Sequence, residues 1–77
     1  MSKKINIELS EDQALVLSEL LFRINSNKIL DNFFEDQAEQ RILWDLGGIL
    51  EKNISSIFSW NYLDEVKKAR ENVRDKM

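Results

Sequence analysis

The chain has 77 residues, of which 43% are hydrophobic and 32% are charged, and its net charge is −3. This length fits one domain with a small core, because a domain of about 60–80 residues buries only some 60% of the surface that its unfolded chain exposes. Cysteine and histidine are absent, which excludes disulfides, thiolate metal sites and the commonest general base. The slight excess of acidic residues argues against a nucleic acid partner, whose phosphates attract clustered lysine and arginine.

The sequence carries no signal for a membrane. No apolar segment approaches the length of about 20 residues that a membrane-spanning helix needs. The N-terminus, Met1-Ser2-Lys3-Lys4, continues into alternating rather than uniformly apolar sequence, which is not the pattern of a secretory signal. These observations predict a soluble protein that has no obvious export signal and no membrane partner.

The first predicted element is a strand at residues 3–9. Ile5, Ile7 and Leu9 alternate with polar residues, which is the pattern of a strand with one buried face. Because no other clear strand exists, its backbone groups either pair with residues 54–59, pair with the same strand of a second copy, or remain in contact with water. We favour the second copy and therefore expect a homodimer through strand 3–9.

The sequence from Ser10 to Gln13 is a capping box, which predicts that a helix begins there. This helix, at residues 11–25, carries a broad apolar face, and Leu15 and Phe22 form a second, narrower apolar strip. A helix that is apolar on two sides either lies deep in its domain or contacts a second protein. We rank burial within the same chain first for this strip and contact with a partner second.

The second helix is predicted at residues 33–53, after a capping box that begins at Asn32. Its long amphipathic pattern makes it the expected centre of the domain. Trp44 lies opposite the apolar face, on the same side as Gly47 and Gly48. Because each glycine costs about 1 kcal/mol inside a helix, we expect another group to approach this smooth patch closely.

Trp44 has two interpretations. Tryptophan is a common anchor residue of protein interfaces. Alternatively, Ile54, Phe58 or Trp60 covers it within the chain, and we rank this cover slightly ahead.

The sequence after residue 53 is less regular. Residues 54–58 fit a helix, a loop or a short strand equally well, whereas Ser59 is the predicted N-cap of a last helix at residues 60–74. The whole pattern predicts an α+β fold that is mainly α, with one N-terminal strand and three helices in the order β-α-α-α. The predicted core consists of apolar side chains from all four elements: Ile5, Ile7, Leu9, Leu17, Leu20, Leu21, Ile24, Ala38, Ile42, Leu46, Ile49, Leu50, Tyr62, Val66 and Val73.

Acidic residues gather at Asp31, Glu35, Asp36 and Glu39. Such a group could hold a hard cation or act as acid and base, but a helix N-terminus also attracts acids through its dipole. No candidate nucleophile or glycine-rich loop accompanies them, so we expect no metal site, no cofactor and no catalytic residue. The predicted class is a non-catalytic protein-interaction module rather than an enzyme.

The N-terminal third, one alternating strand followed by a capped amphipathic helix, resembles ribbon-helix-helix DNA-binding proteins. In that family two strands pair across a dimer axis and their outward side chains enter the major groove. The resemblance implies that Lys4, Asn6 and Glu8 take those positions. A DNA-binding transcriptional regulator is therefore the alternative function.

Nearly the whole chain is similar to a group of small bacterial proteins to which no activity is assigned. The similarity rests on Leu-Ser-Glu-Asp-Gln-Ala-Leu-Val-Leu at residues 9–17, Phe-Glu-Asp-Gln-Ala-Glu-Gln-Arg-Ile-Leu-Trp-Asp-Leu at 34–46, and Asn-Tyr before a charged helix that ends near residue 70. It implies a bacterial, cytoplasmic protein. Gly47 and Gly48 depart from the group, which predicts a helix that is kinked or locally open there.

We expect contacts with a protein partner at the residues that lie away from the main apolar faces of the first two helices. They are Trp44 with Gly47 and Gly48, and after them Leu15 with Phe22.

Overall fold

The computed structural model of the protein describes residues 3–27, 32–54 and 59–74. It contains three helices, α1 (Glu11–Ser26), α2 (Gln37–Asn53) and α3 (Tyr62–Val73). No strand occurs within the described ranges, so the predicted β-α-α-α fold is wrong and the fold is all-α. In the same ranges, none of the helices combines the length and the apolar character that crossing a membrane requires.

The predicted strand at residues 3–9 is the largest error. These residues have no regular secondary structure, and Ile5 and Ile7, predicted as core residues, are 86% and 78% exposed. A strand is stabilised by hydrogen bonds to a neighbouring strand, and the described part of the chain supplies no such neighbour. The alternating pattern therefore indicates which side chains share a face. It does not provide the neighbouring strand that would hold these residues in a sheet.

Helix α1 begins where the sequence predicts. The Ser10 hydroxyl accepts a hydrogen bond from the backbone N–H of Gln13 at 3.1 Å, and the Gln13 side chain accepts one from the Ser10 N–H at 2.9 Å. This reciprocal pair is the predicted capping box, and it satisfies two N–H groups that have no partner inside the helix. The helix ends one residue beyond the predicted boundary, at Ser26.

Helix α2 begins later than predicted, because Asp36 rather than Asn32 is its N-cap. The Asp36 carboxylate accepts a hydrogen bond at 2.7 Å from the backbone N–H two residues further on. The Glu39 carboxylate accepts one from the backbone N–H of Glu35 at 2.9 Å. Both carboxylates thereby occupy the positive end of the helix dipole, where acids are stabilising.

Helix α3 also begins later than predicted. Its N-cap is Asn61, which makes no capping hydrogen bond with its side chain, and Ser59 is not the cap. The Ser59 carbonyl instead accepts a hydrogen bond from the Tyr62 N–H at 3.2 Å, and its hydroxyl donates to the Asn61 side chain. These contacts form a turn ahead of the helix.

Helix α1, and not α2, is the centre of the domain, because it packs against both other helices. Its buried side chains are Leu15, Ser18 and Leu21. Leu15 is 4% exposed, which confirms burial within the chain for this part of the second apolar strip, whereas Leu20, a predicted core residue, is 41% exposed. The buried face of α1 is therefore not centred on the predicted broad apolar face. It lies closer to Leu15.

The core is small. Its buried apolar side chains come from α1, α3 and the end of α2: Leu15, Leu21, Leu50, Ile54, Val66 and Ala69. Among the other predicted core residues, Leu17, Leu46 and Tyr62 pack against this cluster and Ile24 is half-buried. The predicted core residues that are exposed are Ile5, Ile7, Leu9, Leu20, Ala38, Ile42, Ile49 and Val73.

Two polar contacts set the orientation of α3 on α1. The Tyr62 hydroxyl donates a hydrogen bond to the Glu19 carboxylate at 2.9 Å, and the Asn72 side-chain amide donates one to the Asp12 carboxylate at 2.9 Å. The start of α3 therefore lies beside the middle of α1, and its end lies beside the start of α1. The two helices run antiparallel.

The contact between Tyr62 and Glu19 predicts a pH dependence. Burial raises the pKa of Tyr62, and the hydrogen bond and negative charge of Glu19 raise it further, from 10.0 to about 12. Because the folded state holds the proton more tightly than the unfolded state, this stabilisation is complete below pH 10.0 and is lost as the pH rises through about 12. An ultraviolet titration of the phenol in the folded protein measures the pKa directly, since Tyr62 is the only tyrosine.

The Tyr62→Phe variant is the control for this titration. It should lose the phenolate signal and the part of the alkaline loss of stability that belongs to this group. A phenol that titrates in the folded protein at the ordinary pKa of tyrosine would show that the hydrogen bond to Glu19 does not persist in solution.

Candidate functional site

A groove of about 1130 Å³ lies between α1 and α2 on the outside of the domain. Both helices contribute side chains to it, and most of them are polar or charged. The lining residues are Ser18, Phe22, Asn25 and Ser26 of α1, and Gln37, Gln40, Arg41, Trp44, Asp45, Gly47, Gly48, Ile49, Glu51 and Lys52 of α2.

Two aromatic rings stand exposed in this groove, one on each helix. Phe22 of α1 is 63% exposed and Trp44 of α2 is 70% exposed. Fully burying a side chain of this size is favourable by roughly 1.5–3 kcal/mol. Because both rings are exposed, the isolated domain lacks a large part of this stabilisation at each position. Exposed apolar surface concentrated in a groove is typical of a binding site.

The predicted cover of Trp44 is not provided by the residues that the structure describes. Ile54 lies in the core, and Trp60 is 95% exposed and so contacts little. Phe58 lies outside the described residues. The Trp44 ring therefore remains open to a partner as far as the described part of the chain extends.

Gly47 and Gly48 form a part of the groove without side chains. The fold does not require glycine at either position. Neither has a positive φ angle. A Cβ atom at Gly48 would meet nothing within 4 Å, and one at Gly47 would make only an ordinary contact, 3.8 Å from the side-chain nitrogen of Asn25. Helix α2 also continues through both glycines, so the predicted local opening of the helix is wrong.

The charges of the groove balance. Its two bases are Arg41 and Lys52, and its two acids are Asp45 and Glu51. Arg41 and Asp45 form an exposed ion pair at 3.3 Å, which contributes at most about 1 kcal/mol to stability. A groove without net charge does not provide the positive surface that a phosphate backbone requires.

The acidic residues near the start of α2 have a structural role in the described part of the chain. The carboxylates of Asp36 and Glu39 accept hydrogen bonds from backbone N–H groups there, while Asp31 lies outside the described residues. Among the residues that the structure describes, no group of three acidic side chains could hold a metal ion.

The structure brings four of the five predicted contact residues together. Trp44, Gly47 and Gly48 share the groove with Phe22, although Phe22 belongs to a different helix. Leu15 lies in the core and does not reach the groove.

Sequence reasoning missed the polar residues that line the α1 side of the groove. Ser18, Asn25 and Ser26 stand four residues before Phe22 and three and four residues after it. Residues at these spacings share a helix face. Their spacing from Phe22 is the signal that could have found them.

No known protein family matches the chain, and neither a curated protein nor a solved structure matches it significantly. The resemblances drawn from the sequence remain predictions. Over the residues that the structure describes, the fold and the groove define a class, a small domain of three helices with an aromatic-lined groove between α1 and α2.

Proposed function

We propose that the protein is a small non-catalytic module that binds another protein through the groove between α1 and α2. The observation that carries the proposal is the placement of two exposed aromatic rings, Phe22 and Trp44, on two different helices in one groove. Aromatic residues that become buried on binding commonly supply most of the affinity of an interface.

The partner segment that best fits this groove is an amphipathic helix. Two helices packed side by side leave a channel that accommodates a third, and such grooves bind helices through apolar residues spaced three, four and seven positions apart. Gly47 and Gly48 leave room for the partner backbone, because glycine permits the close approach of another chain. The apolar stripe of the partner would contact Phe22 and Trp44.

The groove supports a catalytic function poorly. Catalysis of the usual kinds requires a positioned base, nucleophile or metal, and the chain contains neither histidine nor cysteine. The two serines of the lining, Ser18 and Ser26, have no histidine to activate them. The DNA-binding alternative likewise gains no support from a groove whose acids and bases are equal in number.

The proposal assumes a bacterial, cytoplasmic setting. Its support is the resemblance of residues 9–17 and 34–46 to small bacterial proteins. A partner from the same compartment follows from this assumption.

Selection of helical peptides from a displayed library on the immobilised domain tests the proposal and does not require the natural partner. We expect the selected peptides to carry apolar residues at helical spacing. Trp44→Ala should weaken their binding by about 30-fold or more, because a central aromatic anchor contributes at least about 2 kcal/mol. Isothermal titration calorimetry gives the affinities.

The matched control is Trp60→Ala. Trp60 is an exposed tryptophan like Trp44, but it does not line the groove, so its removal should leave peptide binding unchanged. Peptides that bind the Trp44→Ala variant as tightly as the wild type would exclude this groove as the binding site.

A further inference from the structure

The chain exposes more surface than a compact domain of its size. Its accessible surface is 7096 Å², whereas a folded monomer of 9.1 kDa has about 4900 Å². The Cα radius of gyration is 14.1 Å, against about 11.5 Å for a compact chain of this length. Residues 3–9, which have no regular secondary structure, contribute part of this surface, and exposed apolar side chains of α1 and α2 contribute another part.

Helix α1 has an apolar stripe on the side opposite the groove. Phe22 lines the groove, and Leu20 and Ile24 stand two positions before and after it. Because two residues turn an α-helix through about 200°, both of these side chains point away from the groove. Leu20 is 41% exposed and Ile24 is half-buried.

Helix α2 repeats this arrangement around Trp44. Ile42 and Leu46 stand two positions before and after Trp44, so they also lie opposite the groove, and neither of them lines it. Ile42 is 63% exposed, and Leu46 packs partly against the core. Because α1 and α2 pack side by side, the two stripes form one apolar surface. We call it the rear face, and its residues are Leu20, Ile24, Ile42 and Leu46.

The composition of the rear face indicates what covers it. Its four side chains carry no charge and no polar atom, whereas most side chains of the groove are polar or charged. Interfaces between two copies of one chain are more apolar than other protein interfaces. An uncharged face can also meet its own copy across a two-fold axis without placing like charges together.

We propose that the rear face binds the rear face of a second copy of this chain across a two-fold axis. The contact uses α1 and α2 only. Residues 3–9 take no part in it, and the groove stays open on the opposite side of the helix pair. The exposed apolar area of the rear face is small, so the interface belongs to the smallest class of specific interfaces and the dimer is weak. It forms at high protein concentration, and dilute protein is monomeric.

Sedimentation equilibrium of the wild type and of the Ile42→Asp variant tests the proposal. We expect the wild type to form a dimer between micromolar and millimolar concentration. Ile42→Asp should weaken the dimer by about tenfold or more, because it places one carboxylate from each copy in an apolar contact. Circular dichroism verifies that the helices remain, since Ile42 is mostly exposed. If the aspartate variant loses helicity, Ile42→Ser is the milder change, and it should weaken the dimer in the same direction.

Leu63→Asp is the matched control. Leu63 is an exposed apolar residue of α3 and lies outside the rear face, so the same chemical change there should leave the dimer unchanged. Ile7→Asp tests residues 3–9 in the same way and should also have no effect. Trp44→Ala alters only the groove, so it too should leave the dimer unchanged, and a failure of the proposed function would not affect this test.

Two results would overturn the proposal. One is a wild-type protein that remains monomeric at millimolar concentration. The other is a Leu63→Asp, Ile7→Asp or Trp44→Ala variant that weakens the dimer as much as Ile42→Asp does, because the contact would then involve a different surface of the chain.

Discussion

Replacing Leu21 by alanine will lower the free energy of unfolding by about 2–5 kcal/mol, because this side chain is 2% exposed and its loss leaves a cavity in a small core. The total stability of a domain is only about 5–15 kcal/mol, and a small core places this domain at the low end of that range. The variant should therefore be largely unfolded or close to it. Urea denaturation followed by circular dichroism measures the change.

The adjacent substitution Leu20→Ala is the matched control. Leu20 is half-exposed, so the same chemical change should cost about 1 kcal/mol or less. The comparison also decides which face of α1 is directed toward the core. If Leu20→Ala destabilises the domain as much as Leu21→Ala, the buried face of α1 is the one that its broad apolar pattern predicts and not the one in the structure.

Replacing Gly48 by alanine should change stability and binding in opposite directions. Alanine is better than glycine in a helix interior by about 1 kcal/mol, and the added Cβ at this position meets nothing within 4 Å. The domain should therefore become more stable by about that amount. The same methyl group occupies space in the groove, so the affinity for a selected helical peptide should fall, and Gly48→Leu should lower it further.

Urea denaturation and calorimetric titration of the same preparations provide both measurements. Gly47→Ala is a useful comparison, because its Cβ would touch Asn25 and its gain in stability should be similar or smaller. A Gly48→Leu variant that binds peptide as tightly as the wild type would remove the glycines from the binding site. A Gly48→Ala variant that is less stable than the wild type would contradict the regular course of α2.

Local sequence signals predicted the helices and two of their boundaries, the start of α1 at Glu11 and the end of α2 at Asn53. The start of α1 was predictable because Ser10 and Gln13 satisfy each other without help from the rest of the chain. The starts of α2 and α3 were not, because each has two polar candidates a few residues apart. In the structure Asp36, and not Asn32, is the N-cap of α2.

The core could be predicted only in part, because burial depends on the neighbours of each helix. The apolar arc of α2 is wide, but α2 packs on α1 along one flank, so Leu50 is buried and Ile42 and Ile49 are exposed. The isoleucines of residues 3–9 illustrate the same limit. Their alternation indicates a shared face, whereas a strand also requires a partner from outside the segment.

The candidate site shows how tertiary structure separates residues that the sequence groups together. Leu15 and Phe22 form one strip on α1, yet Leu15 is buried and Phe22 is exposed. Helix α3 begins at Tyr62, whose hydroxyl donates to Glu19, and Phe22 follows Glu19 by about one turn of α1. Phe22 shares the groove with Trp44.

The central claim is that Trp44 and its groove bind a protein, and affinity capture from a lysate of the source cell tests it most directly. Wild type, Trp44→Ala and Trp60→Ala are immobilised in parallel, and bound proteins are eluted with a selected helical peptide. We predict at least one protein that wild type and Trp60→Ala retain, that Trp44→Ala loses, and that the peptide releases. Recovery of the same proteins in equal amounts on Trp44→Ala would contradict the account.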